Sequence, residues 1–148
     1  MIPRGLAIAM SIGVIASAIF GLVFVDLKKP NELNFVEGPS LTILTEKKDF
    51  DKGEKIKIII FNSGSVPLTF SDSSYGLRIK GLDGTVLYSP IAAQVISVLE
   101  PKEEKIFEWD QIKNDGDPAL EGTYKITSSA LDKDKKTIKE SITINIFK

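Results

Sequence analysis

The chain has 148 residues, with 19 basic and 20 acidic side chains, no cysteine and no histidine. The two absences exclude disulfides, Ser-His-Asp and Cys-His nucleophilic centres, and His/Cys sites for zinc or copper. A net charge of −1, with no basic stripe interleaved with aromatics, gives no expectation of nucleic-acid binding.

The first element is Gly5–Val25, GLAIAMSIGVIASAIFGLVFV, a run with no charge and no proline. As a helix it spans about 32 Å at 1.5 Å per residue, which matches a hydrocarbon core of about 30 Å. Residues 1–25 therefore read as one transmembrane signal-anchor helix. Ala16-Ser17-Ala18 also fits a signal-peptidase site, but cleavage there would leave the apolar Ile19–Val25 at a new N-terminus. A pilin-like leader cut after Arg4-Gly5 is a third variant, and it lacks the acidic residue near the start of a mature pilin helix. Arg4 on one side and Lys28 and Lys29 on the other leave the positive-inside count nearly balanced. The expectation of a plasma-membrane, single-pass protein with its domain outside rests on the order of anchor and β-rich domain. Gly5, Ala9, Gly13, Ser17 and Gly21 recur at spacing four, a small-residue ladder along which a second helix can approach closely. The partners expected there are other membrane proteins or a second copy of this chain, within the lipid bilayer.

Residues 26–39, DLKKPNELNFVEGP, are polar and aperiodic and read as a linker. From Ser40 the hydrophobic period becomes two, and residues 40–148 read as one domain. Ser40–Glu46 is a strand and Lys47–Gly53 a charged turn. Glu54–Asn62 turns Ile56, Ile58 and Ile60 inward against Lys55 and Lys57. Val66–Phe70 starts a strand at Pro67, and Tyr75–Leu82 leads into an Asp83-Gly84 hairpin turn that returns over Thr85–Ser89. Gln94–Leu99 and Glu103–Trp109 are strands on either side of Pro101. Asp110–Pro118 is a polar loop. Thr123–Leu131 and Thr137–Phe147 form a closing hairpin around the charged turn Asp132–Lys136. Seven to nine short strands with no amphipathic helix give an all-β, antiparallel, immunoglobulin-like β-sandwich behind the membrane helix. Gly122-Thr123-Tyr124 enters a late strand as a tyrosine corner does.

No phosphate-cradling glycine motif is present, and no carboxylate spacing points to a hydrolase, so no catalytic residue, cofactor or metal is expected. Asp110, Asn114, Asp115 and Asp117 could offer oxygens to Ca²⁺, but their order is not that of an EF-hand and a solvated loop is the reading adopted.

Several runs together resemble one family. They are Asn62-Ser63 with Val66–Phe70, then Tyr75, Leu82–Tyr88, Leu99–Glu104, Phe107–Asp110 and Gly122–Tyr124. In these the chain is similar to the intracellular proteinase inhibitor (BsuPI) domain over about Glu54–Phe147. The resemblance implies an immunoglobulin-like sandwich with Phe70, Gly84, Pro101, Trp109, Gly122 and Tyr124 as fold-defining residues. Lys102 replaces the family's usual glycine and Glu121 its usual proline. The matching positions carry a fold and not an inhibitory loop. The expected function is therefore that of a non-enzymatic accessory subunit in protein–protein assembly. A membrane-anchored proteinase inhibitor and an archaellum- or pilus-stator-like surface protein, the latter by architecture alone, are the alternatives.

The ladder generates a direct test. Gly13→Ile should weaken association of the full-length protein with its helix partner, measured by cross-linking in membranes, whereas Ile12→Leu should leave it unchanged. Only two or three rungs, centred on Ala9, Gly13 and Ser17, should matter, because spacing four drifts about 40° per step on a 3.6-residue helix.

Overall fold

Alternation at period two puts every second side chain on one face of a strand, and here those faces meet in a single core. The computed structural model describes residues 33–148. The expected membrane helix, with Gly5, Ala9, Gly13, Ser17 and Gly21, and the first part of the linker lie outside the described residues. Among the described residues no helix is long and apolar enough to cross a membrane.

Among the described residues ten strands form two sheets. β1 (Leu41–Thr45), β3 (Ile56–Asn62) and β8 (Glu104–Trp109) make the first, in the order β1-β3-β8 and antiparallel throughout. The second runs β2 (Asp49–Asp51), β10 (Thr137–Phe147), β9 (Gly122–Leu131), β4 (Leu68–Phe70), β7 (Ser97–Leu99). β5 (Arg78–Gly81) lies along the same side of β9 as β4, with β6 (Val86–Tyr88) outside it. Every pairing is antiparallel except that of β2 with β10, which is parallel. The first strand region thus divides between the sheets, β1 on β3 and β2 on the last strand, and the connectivity is immunoglobulin-like.

The inward rows are clean. Ile56, Ile58 and Ile60 on β3 and Tyr124, Ile126 and Ala130 on β9 are all buried in one core cluster. Ten successive register pairs join β9 and β10, making the longest ladder among the described residues. Trp109 is buried beside Tyr88 and Tyr124, and its indole N–H donates to the Ile112 carbonyl at 2.9 Å.

Residues 47–53, read from sequence as a turn, contain β2. Phe50 is buried between two exposed aspartates, and a single apolar residue flanked by charges gives too little alternation to register as a strand. Tyr75 and Gly76 do not extend β5. Both have positive φ, at 52° and 66°, and a Cβ on Gly76 would lie 2.4 Å from the Ser129 carbonyl oxygen. Packing also begins before Ser40. Phe35 meets the Phe61 ring edge-on at 5.8 Å, and the Val36 N–H donates to the Ser63 carbonyl. Gly64 makes room for this segment, since a Cβ there would come within 2.2 Å of the Gly38 carbonyl oxygen.

Two buried side-chain amides close the two ends of the sandwich. Asn62 donates to the carbonyls of Val66 and Leu99 and accepts from the Gly64 N–H. At the other end Gln111 donates to the carbonyls of Asp51 and Glu54 and accepts from the Gly53 N–H. The same end holds the tyrosine corner, where the Tyr124 hydroxyl donates to the Leu120 carbonyl four residues upstream. Burial pushes the Tyr124 phenol above its ordinary pKa, against smaller opposing effects of Lys113 and the Leu120 bond. Tyr124→Phe keeps the ring packing and removes this bond, so urea unfolding should show a loss of about 0.5–1.5 kcal/mol with an unchanged m-value.

Candidate functional site

Between Asp83 and Glu100 lie sixteen residues without a charge, GTVLYSPIAAQVISVL, in a chain in which 26% of residues are charged. They do not go into the core. They form β6, the loop 89–96 and β7, and so run along the outer margin of the second sheet beyond β5 and β4. Ile91 is fully exposed, Ile96 is 72% exposed and Val95 60%. Val86 and Val98 extend the exposed apolar strip onto the flanking strands. Sheet margins with unpaired backbone groups are normally guarded by charges, prolines or cover. This margin has one proline, Pro90, and no charge.

Three clamps fix the strip to the sandwich. At its start, the Asn114 N–H donates to the Leu87 carbonyl at 2.9 Å and the Asn114 Oδ1 accepts from the Ser89 N–H at 3.3 Å. In the middle, Ser73 binds Ala93 twice: its backbone N–H donates to the Ala93 carbonyl and its hydroxyl accepts from the Ala93 N–H. At the end, β7 pairs with β4 over three residues, and Asn62 Nδ2 donates to the Leu99 carbonyl at 2.8 Å. Ser73 itself sits in a loop held by Asp72, whose carboxylate accepts from both the Ser74 hydroxyl and its N–H. Those bonds hold the Asp72 carboxyl below the ordinary carboxylate range. Next to the first clamp a trough opens between Tyr88, Ile91, Phe107 and Ile112. Burial, with the Asp110 carboxylate nearby, raises the Tyr88 phenol above its ordinary pKa.

The side chains of the polar loop bond to the loop's own backbone, to Lys113 and to the first clamp. Asp110 Oδ1 accepts from the Ile112 N–H, Asp115 from the Asp117 N–H and the Lys113 ammonium, and Asn114 serves the clamp. Among the described residues no three acidic side chains converge as metal ligands. The six residues expected from the resemblance to define the fold are spread through the sandwich. Phe70, Trp109 and Tyr124 are buried in the core, Gly84 turns the β5–β6 hairpin at φ 86°, and Gly122 opens β9 at φ 147°. Pro101 stands in the β7–β8 turn, where Lys102 takes a φ of 67°, a left-handed conformation suited to glycine. The apolar strip itself was missed in the sequence, where Gln94–Leu99 reads as an ordinary strand. The length of the uncharged run was the available indication.

No protein-family model matches the chain, and no curated protein matches it. Solved structures similar to it include Spo0M, a sporulation control protein from Bacillus subtilis, at 12% identity and a TM-score of 0.47 over 76% of this chain. The chain spans 51% of that protein. A CARDB domain from Pyrococcus furiosus, in complex with di-metal ions, aligns at 20% identity and a TM-score of 0.39 over 76% of this chain and 97% of its own. A β-glucosidase from Listeria innocua in complex with glucose aligns at 13% identity and a TM-score of 0.33, over 74% of this chain and 16% of its own.

Asn62 is the clamp with the largest energetic stake, because both carbonyls it serves lose their partner together. Asn62→Ala should destabilise the protein by about 1–3 kcal/mol in chemical unfolding. Amide exchange should rise at Ser97–Leu99 more than at β10.

Proposed function

We propose that this is a non-enzymatic, single-pass membrane protein whose extracytoplasmic sandwich docks a neighbouring membrane protein, making it an accessory subunit of a surface complex. The observation that carries the reading is the clamped, uncharged margin Gly84–Leu99. Exposing Ile91, Val95 and Ile96 to water is unfavourable by about 25 cal/mol per Å² of apolar surface, and a partner's apolar surface removes that cost. Holding the strip at Asn62, Ser73 and Asn114 also lowers the ordering entropy that binding must overcome. The anchor expected over residues 1–25 keeps the domain beside membrane partners, and the ladder from Gly5 to Gly21 gives the same partner or a second copy a further contact within the bilayer.

A second reading draws on the same strip. A fully exposed Ile91 on a loop clamped on both sides is the kind of segment a proteinase cleft can receive, in keeping with the BsuPI-like sequence features. On this reading the full-length protein inhibits a serine proteinase that accepts small aliphatic side chains, and Ile91→Asp abolishes the inhibition.

A photo-cross-linking side chain at Ile96 separates docking from chance exposure when compared with one at Ile106, which the alternation along β8 turns to the outer face of the first sheet, away from Phe107. Both positions are exposed, at 72% and 47%. The expected result, in native membranes, is a discrete protein adduct at Ile96 that is lost on Ile91→Lys, and none at Ile106. Equal adducts at both positions, or none at Ile96, would overturn the assignment.

A further inference from the structure

The outer face of the second sheet gathers positive charge in a protein whose net charge is −1. Arg78 and Lys80 point outward from β5, alternating with the buried Leu77 and Ile79. Lys125 points outward from β9 and Lys139 from β10. The four line one shallow trough, floored by the hydroxyl-bearing residues Thr127 and Ser141, with Glu140 the one acidic residue on its wall. Among the described residues none of the four cations forms an ion pair, whereas Lys47, Lys55 and Lys113 each have a carboxylate within 2.7–3.3 Å. Register sharpens the point. Lys80 lies directly opposite Lys125 across the β5–β9 pair, where Cβ atoms are about 4.5–5.5 Å apart and like charges destabilise the sheet. Neutral or acidic residues at either position would relieve that repulsion, and the fold has no need of lysine there, because both side chains face away from the core.

We propose that this face is an anion-binding surface whose occupant is an extended acidic segment of a partner protein. The charge is complementary, and the spacing fits. Arg78 and Lys80 are two residues apart on one strand, hence about 7 Å, which is the repeat at which an extended peptide presents every second carboxylate. No aromatic ring lines the trough to stack a sugar, which sets an acidic polysaccharide behind an acidic peptide. The surface is separate from the apolar margin and rests on different residues.

The test uses the full-length protein in mild detergent and three probes: a fluorescent (Glu-Gly)5 peptide, the same peptide with glutamine for glutamate, and polygalacturonate. The acidic peptide is expected to bind, weakening at least several-fold between 50 and about 200 mM salt, while the glutamine peptide does not bind. Lys80→Gln with Lys125→Gln should weaken that binding about tenfold or more. The same pair should raise the melting temperature by about 1–4 °C, because the repulsion is gone. Lys57→Gln, on the other sheet, should leave binding as it was. No binding of the acidic peptide, binding unchanged by the double substitution, or a lowered melting temperature in that variant would overturn the proposal. Tighter binding of polygalacturonate than of the peptide would overturn it in favour of a glycan.

Discussion

The buried amide of Asn62 is the constraint on which the exposed margin depends. It stands at the end of β3 in the first sheet, and its Nδ2 reaches the Leu99 carbonyl at the end of β7 in the second. β7 has only three residues and one neighbouring strand. Strands of that length contribute little by themselves, and a side chain that satisfies carbonyls of two elements fixes their relative position. The Asn62 backbone continues the work: its N–H donates to the Glu103 carbonyl and its carbonyl accepts from the Lys102 N–H, so the β7–β8 turn is held from the same residue. Cross-sheet ties of this kind stand in for the disulfide that a cysteine-free sandwich does without.

The margins of the two sheets are treated differently, and the difference gives the uncharged strip its meaning. β2 closes one side of its sheet with Asp49 and Asp51 outward, and β8 closes a side of the other with Glu104 and Glu108 outward. β1 is uncharged, yet it has no large exposed apolar side chain. Among the sheet margins of the described residues, only the one along β6, loop 89–96 and β7 combines exposure and apolar character with an absence of charge. Guarding charges elsewhere suppress unwanted pairing, so their omission over sixteen consecutive residues leaves that margin open to association. The outer face of the same sheet is cationic, so two chemically distinct surfaces lie side by side on β5 and its neighbours.

Much of the sandwich was legible in the sequence because strands with one wet face alternate. Ile56, Ile58 and Ile60 against Lys55 and Lys57, and Tyr124, Ile126, Ser128 and Ala130 on β9, face as their period requires. Tyr124 and its glycine gave the corner. What stayed hidden was non-local. β2 is a strand because Phe50 finds β10 ninety-six residues later in the chain, and nothing in Asp49-Phe50-Asp51 announces that partner. Glycine would suit the backbone at Lys102, and the sequence carries lysine there at a φ of 67°. The site was hidden for a similar reason. An uncharged run looks the same in sequence whether the fold buries it, as it does much of Ile58–Ser71, or lays it along a margin, as it does Gly84–Leu99. Likewise, Arg78 and Lys80 read as ordinary outward residues until the register sets Lys125 opposite Lys80.

The central claim is the proposed one, that a protein partner covers the Gly84–Leu99 margin at the membrane where the expected anchor would hold the chain. Amide hydrogen exchange of the full-length protein, measured in native membranes and again after purification alone in detergent, tests it most directly. The account predicts slower exchange in the membrane across residues 86–98, with β10 unchanged between the two states. Equal exchange across 86–98 in both states, with protection appearing on some other surface, would contradict it.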